Sequence, residues 1–382
     1  MSRLLKNKTP LVWAEVDLKA LRHNLREIRR YLSGASPIEV LCVVKADAYG
    51  HGMARVARAL AKEGVTFFGV ANIDEAMELR RTIRGAKILV LGTFHESQAR
   101  LYVQGAIRPT IASEEDLRAL EKNLSGRKDF PVHVKVDTGM GRLGVWHADA
   151  ERFFRRMAVS PRIRVEGIYT HFASADEPSG QSAKEQLYCF KILKRKVLEL
   201  GISPAYWHTA NSVGLLRFTD AHFNLVRPGL LLYGLNPWKG QRLTLKLKPV
   251  LSLKTRISFL KKVISGRPLS YGGTYRTGQD SWIATLPIGY SHGYRVGFSN
   301  KGAVLVNGRR CPVVGRVTMD QTLVNLGKAP LARRWDEVTL IGSQGRERVS
   351  TEELASLIDT IPYEIVCSIH SRIPRLYKEL SS

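Results

Sequence analysis

Lys45 ends an apolar run, Leu41-Cys-Val-Val-Lys45, and Tyr49, Gly50 and Gly52 follow within seven residues. A lysine at the end of a buried strand needs a partner or a covalent use, because its ammonium is costly to desolvate. A desolvated amine loses its proton more readily and can then form a Schiff base with a carbonyl compound. A lysine that simply snorkels from a strand end accounts for this segment equally well when it is read alone. Further polar groups recur downstream at Thr170-His171, Asn211-Ser212 and Arg227-Pro-Gly229. Each has a plain structural explanation: a satisfied core histidine, a helix cap, and a surface charge before a Pro-Gly turn.

The elements that must position these groups alternate between strand and helix. Eight β-rich runs stand at 40–45, 67–71, 88–92, 107–112, 132–137, 165–171, 205–209 and 223–227. Helical patterns fill most of the intervals. The segment 74–81 reads as a helix capped by Asp74, and 113–120 as one capped by Ser113 with acids in its first turn. The longest helix is expected at 181–200. Alternating units of this kind imply a parallel sheet, and eight of them fit a (β/α)8 barrel, with a doubly wound open sheet as runner-up. After residue 236 the pattern changes. The stretch 247–260 alternates, 304–310 carries an Asn-Gly turn, 311–317 and 337–341 are strand candidates, and 351–358 is a helix. This half reads as mostly antiparallel β. The expected division is 12–238 for the barrel and 239–382 for the β-rich domain, with segment 1–16 a candidate to join the latter.

On a (β/α)8 barrel, chemistry sits at the C-terminal ends of the strands, and phosphate often binds after strands seven and eight. Lys45 ends the first run, His171 the sixth, Asn211-Ser212 follow the seventh and Arg227 the eighth. Their joint appearance on one rim outweighs the separate plain readings. Ser212, with the amides of Gly229 and Leu230, would form an anion cradle. A lysine plus a phosphate site on this barrel points to pyridoxal phosphate.

Bulk properties agree with an enzyme of this kind. No run approaches the ~18 apolar residues of a membrane span. The N-terminal Met-Ser-Arg-Leu-Leu-Lys-Asn-Lys lacks the apolar core of a secretory signal, so a cytoplasmic protein is expected. Cys42, Cys189, Cys311 and Cys367 are scattered. They suggest reduced thiols, with neither a disulfide frame nor a metal site. The formal net charge is +25. It is spread along the chain, and the densest piece, Lys191-Ile-Leu-Lys-Arg-Lys196, has the spacing of a solvated helix face. No nucleic-acid motif accompanies it, and the charge suits steering of small anions.

The chain resembles the alanine racemase family. Val43-Val-Lys-Ala-Asp-Ala-Tyr-Gly-His-Gly52 is similar to that family's cofactor-lysine signature. The other marks follow in order: Lys135-Val-Asp-Thr-Gly-Met-Gly-Arg-Leu-Gly144, Tyr169-Thr-His-Phe-Ala-Ser-Ala-Asp176, Asn211-Ser212, Arg227-Pro-Gly229, Leu269-Ser-Tyr-Gly-Gly-Thr-Tyr275, Ile288-Gly-Tyr290, Gly315-Arg-Val-Thr-Met-Asp-Gln321 and Ile361-Pro-Tyr-Glu364. The resemblance runs over nearly the whole chain and implies a barrel followed by a β domain.

It also implies roles. Lys45 would carry pyridoxal phosphate as a Schiff base. Tyr49, Asn211, Ser212, the amides of Gly229 and Leu230, and Tyr363 would surround the phosphate side. Arg227 would face the pyridine nitrogen, with His171 near it, and Arg142 would sit beside the phenolic oxygen. Lys135 would be a carbamylation site. Tyr271 and Met319 would come from the partner of a homodimer with shared sites, Tyr271 being the second catalytic base beside Lys45. Arg142, Met319 and Tyr290 would contact an amino-acid substrate. The implied activity is interconversion of L- and D-alanine, supplying D-alanine for peptidoglycan. A racemase of another amino acid such as serine, and a fold-related amino-acid decarboxylase, are the alternatives. Arg227 and Ser270-Tyr271-Gly272 speak against the decarboxylase, which usually sets an acid near the ring nitrogen. A non-enzymatic pyridoxal-phosphate carrier would have no use for the β domain.

The sequence departs from the family in three places. The family usually shows Gly-Tyr-x-Asp-Gly-Tyr-x-Arg, whereas Gly289-Tyr-Ser-His-Gly-Tyr-Arg-Val296 has His292 for the aspartate and Val296 for the arginine. That arginine belongs to the substrate access route, which Asp176, Arg316 and Ile361 would still line. Thr318 stands where a cysteine is common.

Overall fold

The computed structural model describes residues 10–34, 37–238, 241, 243–329 and 332–379. Strand Cys42–Val43 pairs in parallel with Phe67–Val70, which pairs with Lys87–Val90. A bridge from Leu89 to Arg108 leads to Thr110–Ile111. Parallel pairing then runs through Phe130–Asp137 and Ile163–Tyr169 to Tyr206–His208. Leu225–Val226 pairs in parallel with Glu39–Val40, just ahead of Cys42. The circuit is not closed by a continuous ladder. Between Tyr206–His208 and Leu225–Val226, the Arg227 N–H donates to the Ala210 carbonyl at 3.0 Å, and Asn224 bridges to Trp207 N and Ala205 O. The arrangement is an eight-membered β/α barrel, and the open-sheet alternative falls. Its strands are apolar on both faces, as Leu41, Cys42, Val43 and Val44 illustrate by being fully or nearly fully buried.

The surrounding helices follow from their apolar spacing. In Leu18–Leu32, Leu18, Leu21, Leu25, Ile28 and Leu32 are buried, and the Asp17 carboxylate accepts from the amides of Lys19 and Ala20 to cap the start. Truncating a leucine on that stripe, such as Leu25, removes packing worth about 2–5 kcal/mol. Ser113 caps Glu114–Lys122 as expected. The helix Ile73–Thr82 corrects the reading of Asp74. Its cap is Asn72, which accepts from the Glu75 amide, and Asp74 lies in the first turn. The longest helix is Gln181–Glu199, and Lys191, Arg195 and Lys196 are on its exposed side.

The β-rich part holds one sheet ordered Arg309–Pro312, Ala303–Val306, Glu337–Gln344, Leu251–Arg256, Val12–Asp17, Arg375–Lys378. Its pairs are antiparallel except the last. Phe259–Val263, Ser281–Leu286 and Thr322–Gly327 form a second antiparallel sheet. The alternating stretch 247–260 therefore spans parts of two strands. The strand expected at 311–317 ends at Pro312, after which only Val313 bridges to Val324. Asn307 and Gly308 turn the hairpin at φ +46° and +76°, as an Asn-Gly turn requires. Strand Val12–Asp17 belongs to this sheet, while residues 1–9 of the N-terminal segment lie outside the described residues. Among the described residues no helix is long and apolar enough to cross a membrane, and no cluster of metal-ligating side chains occurs.

Candidate functional site

Lys45 is held by an unusual backbone. After Val44 the chain makes a left-handed turn: Ala46, Asp47, Ala48 and Tyr49 all have φ between +52° and +54°. Non-glycine residues rarely adopt this conformation, and four in succession must be imposed by their surroundings. The Glu75 carboxylate accepts from the amides of Ala46 and Ala71 at 2.7 and 2.8 Å. The Asp47 carboxylate accepts from Met53 N at 2.7 Å, starting the next helix. At Gly50, φ +77°, a Cβ would lie 2.5 Å from the Val366 carbonyl oxygen, so the turn is pressed against the β-rich part. The turn buries Tyr49 and leaves Lys45 half-buried at the mouth of the barrel.

Lys45 lines a cavity of about 450 Å³ at the C-terminal ends of the strands. Lys135, Arg142, His171 and Arg227 share its wall, and among the described residues no carboxylate does. Burial, and then the nearby Arg142, lower the Lys45 pKa. The same two causes, with Arg227, bring Lys135 down to about 8. Lys135 is 4 % exposed, and its ammonium lies 5.6 Å from the Tyr169 ring centre. The site therefore offers two readily deprotonated amines inside a field that attracts anions.

Arg227 is 4 % exposed, and its guanidinium is pinned on several sides. Nη2 donates to the carbonyls of Thr170 and Thr209 at 2.8 and 3.0 Å and lies 3.4 Å from His171 Nδ1. Nη1 donates to His208 Nδ1 at 2.9 Å. The Tyr169 ring lies 5.3 Å from the guanidinium carbon and stacks on His208 at 4.7 Å. Burial, reinforced by Arg227, pushes the pKa of both His171 and His208 well below the usual histidine range, so both rings are neutral.

Ser212, which also lines the cavity, begins the helix Ser212–Arg217, whose cap is Asn211, accepting from Gly214 N at 2.8 Å. Ser212 is thus not the cap. Its Oγ accepts from Gly229 N at 3.0 Å. A Cβ on Gly229 would lie 2.6 Å from the Tyr49 hydroxyl, so glycine is what lets the backbone come this close. Burial raises the Tyr49 pKa, and burial with nearby Asp176 raises that of Tyr363 to about 12. Both phenols therefore remain hydrogen-bond donors at neutral pH. Leu230, the other expected amide, begins the buried turn Leu230–Tyr233 directly after Gly229 and is not itself among the residues lining the cavity.

Residues 16–237 match the model of the alanine racemase N-terminal domain, and residues 250–377 match that of the C-terminal domain. The chain belongs to the alanine racemase family. It is 44 % identical over 368 residues to the alanine racemase of Symbiobacterium thermophilum, with 96 % of each chain covered. It is 41 % identical to that of Carboxydothermus hydrogenoformans, covering 96 % of this chain and 99 % of the relative. Among solved structures, the alanine racemase of Bacillus anthracis with bound L-Ala-P superposes with a TM-score of 0.90 at 38 % identity, covering 98 % and 97 % of the two chains. The alanine racemase of Bartonella henselae, solved with covalently bound pyridoxal phosphate, gives 0.87 at 30 % identity, covering 97 % of this chain and all of that one.

The fold brings together Lys45, Tyr49, Lys135, Arg142, His171, Asn211, Ser212, Arg227, Gly229 and Tyr363 around this one cavity. It does not bring Tyr271, Tyr290 or Met319 to the wall of that cavity within one chain. Tyr271 is 71 % exposed, Met319 54 % and Tyr290 45 %. Sequence reasoning assigned no part to Tyr169, His208, His133 or Glu166. For Tyr169 a signal existed, since it opens the quoted Tyr169-Thr-His motif. The others sit inside strands and read as ordinary alternation.

Proposed function

We propose that this protein interconverts L- and D-alanine with pyridoxal 5'-phosphate as its cofactor. The observation that carries the reading is the pairing, in one cavity with no carboxylate among the described residues of its wall, of a half-buried amine at Lys45 with a buried guanidinium at Arg227. The donor set fits the cofactor: an amine for its aldehyde, and Ser212, Tyr49, Tyr363 and the amides of Gly229 and Leu230 for its phosphate. Asn211 keeps the Ser212 helix in position, and His171 and Arg142 complete the cationic wall. When bound, the cofactor supplies an electron-poor ring that acidifies the Cα–H of an attached amino acid.

The protein's own part is to handle protons on two faces. Lys45, poised by burial to lose its proton, takes one from or returns one to the near face. Tyr271 of the partner subunit does so on the far face, which agrees with its exposure in the single chain. Met319 of the partner subunit, with Arg142 and Tyr290, would hold the substrate carboxylate. Arg227 cannot give up its proton to the ring nitrogen, so it limits charge build-up in the ring and favours simple return of a proton to carbon. A carbamate on Lys135 would place a negative charge beside Arg142. The same reading makes the protein a cytoplasmic homodimer that feeds peptidoglycan synthesis, with the chain divided near residues 238 and 239.

The test is chiral analysis of L-alanine and L-serine after incubation with the purified protein and pyridoxal phosphate, with released carbon dioxide measured in parallel. D-alanine should accumulate without carbon dioxide. A protein that stays colourless when the cofactor is added, or L-alanine that keeps its handedness, would sink the reading.

A further inference from the structure

We propose that Glu166 is a positioning residue for Arg227, acting through a buried chain of two histidines whose proton placement has a single solution. The chain crosses the barrel interior. Arg227 Nη1 meets His208 Nδ1 at 2.9 Å, and His208 Nε2 meets His133 Nδ1 at 2.9 Å. His133 Nε2 lies 3.4 Å from Glu166 Oε2. That last contact is poorly aligned for a full hydrogen bond, yet the buried Nε2 has no better acceptor among the described residues. Arg108 grips the carboxylate from the far side, Nε to Oε2 at 2.7 Å and Nη2 to Oε1 at 3.2 Å. A Cβ on Gly167 would lie 2.4 Å from the His133 ring, so the backbone is cleared for this ring position.

The direction of the chain follows from the guanidinium, which donates and never accepts. His208 Nδ1 must therefore accept, so the His208 proton is on Nε2. That proton requires His133 Nδ1 to accept, so the His133 proton is also on Nε2. It points at Glu166, which must accept. A doubly protonated His133 would leave His208 accepting at both nitrogens, which a neutral imidazole cannot do. Glu166 thus supplies the acceptor that this placement needs at its far end, although it does not line the cavity. The consequence for racemisation rests on the proposed function, whereas the proton placement does not.

The test is ¹⁵N NMR of histidine-labelled holoenzyme, wild type against Glu166→Gln and Glu166→Leu, with kcat, KM and the cofactor absorbance measured on the same samples. In the wild type both rings should show a protonated Nε2 and a bare Nδ1. Glu166→Gln keeps an acceptor oxygen and should keep this pattern. In Glu166→Leu the His133 Nε2–H has no acceptor, and the freed Arg108 guanidinium can donate to a bare Nε2 instead, so the tautomers of His133 and His208 should mix, the cofactor band should shift, and kcat should fall severalfold with less change in KM. A wild-type His208 protonated on Nδ1 overturns the proposal. So does a folded Glu166→Leu with unmixed tautomers and an unshifted band. If Glu166→Leu does not fold, loss of the Nε2–H pattern in Glu166→Gln overturns it as well. Failure of the racemase reading would appear separately, as a wild type that shows the predicted tautomers but forms no D-alanine.

Discussion

Glu75 Oε1 accepts the amide of Ala46 at 2.7 Å, one residue beyond Lys45. Its other oxygen holds Ala71 N at 2.8 Å, so one carboxylate ties the left-handed turn to the end of the neighbouring strand. Four non-glycine residues in that conformation cost roughly 4–8 kcal/mol. Two hydrogen bonds to a charged acceptor return about 3–6 kcal/mol, which makes Glu75 the main brace of the turn. Glu75→Ala is expected to destabilise the protein by about 3–6 kcal/mol in urea unfolding, the sum of the two lost bonds, and to weaken cofactor retention on dialysis. Glu75→Gln, which keeps one acceptor, should lie between the two. A Glu75→Ala protein matching the wild type in both measurements would remove the brace argument.

Lys135 has a folded-state pKa of about 8 against an ordinary value of 10.5. Below pH 8 the ammonium is charged in both the folded and unfolded chain, and its burial penalty is fully present. Between about 8 and 10.5 the unfolded chain binds the extra proton, so stability should rise with pH through that window, by up to ~3 kcal/mol. Urea titrations of the apoprotein in carbonate-free buffer, compared with Lys135→Met, measure this contribution. A rise of equal size in Lys135→Met would assign it to another group. The neutral amine can also add carbon dioxide, forming a carbamate and releasing a proton. Activity should therefore fall on exhaustive removal of bicarbonate and return when it is restored.

Arg227→Glu, with cofactor still bound, should lower racemisation and raise side products such as pyruvate from transamination. The reason is that a carboxyl group can share a proton with the ring nitrogen and draw charge into the ring, which a guanidinium cannot. Coupled pyruvate detection alongside chiral analysis gives both quantities. Unchanged racemisation with no pyruvate would count against the role assigned to Arg227.

Shared sites make a further demand. Mixing and re-annealing Lys45→Ala with Tyr271→Phe, each nearly inactive alone, should recover up to about a quarter of wild-type activity. Random pairing makes half of the dimers mixed, and a mixed dimer has one intact site of two. No recovery, with mixed dimers demonstrated by mass spectrometry, would place both residues of a site in one chain.

What could be read from the sequence depended on whether the determining interaction was local. The eight barrel runs were legible because parallel strands are apolar on both faces, and the structure has strands or bridges at all eight. The cavity residues were legible because strand ends share one rim. The turn at Ala46–Tyr49 was not, since alanine and tyrosine carry no preference for positive φ and the cause lies 29 residues away in Glu75. Asn72 and Asp74 are equally good caps by type. The choice went to Asn72, whose third following residue is Glu75, a position that often reaches back toward the helix start. His208, His133 and Glu166 stand on three different strands, so their contact appears only once the barrel places those strands side by side.

Strand Val12–Asp17 lies between Leu251–Arg256 and Arg375–Lys378. The barrel is thus threaded as an insertion into a sheet whose first strand leaves the ribosome hundreds of residues before either neighbour. Synthesis at ~5–20 residues per second leaves that strand unpaired for many seconds while the barrel can already collapse. The sheet of the second half is consequently completed only after Arg375–Lys378 has emerged. Nascent chains arrested short of residue 375 should expose an unzipped edge open to chaperones.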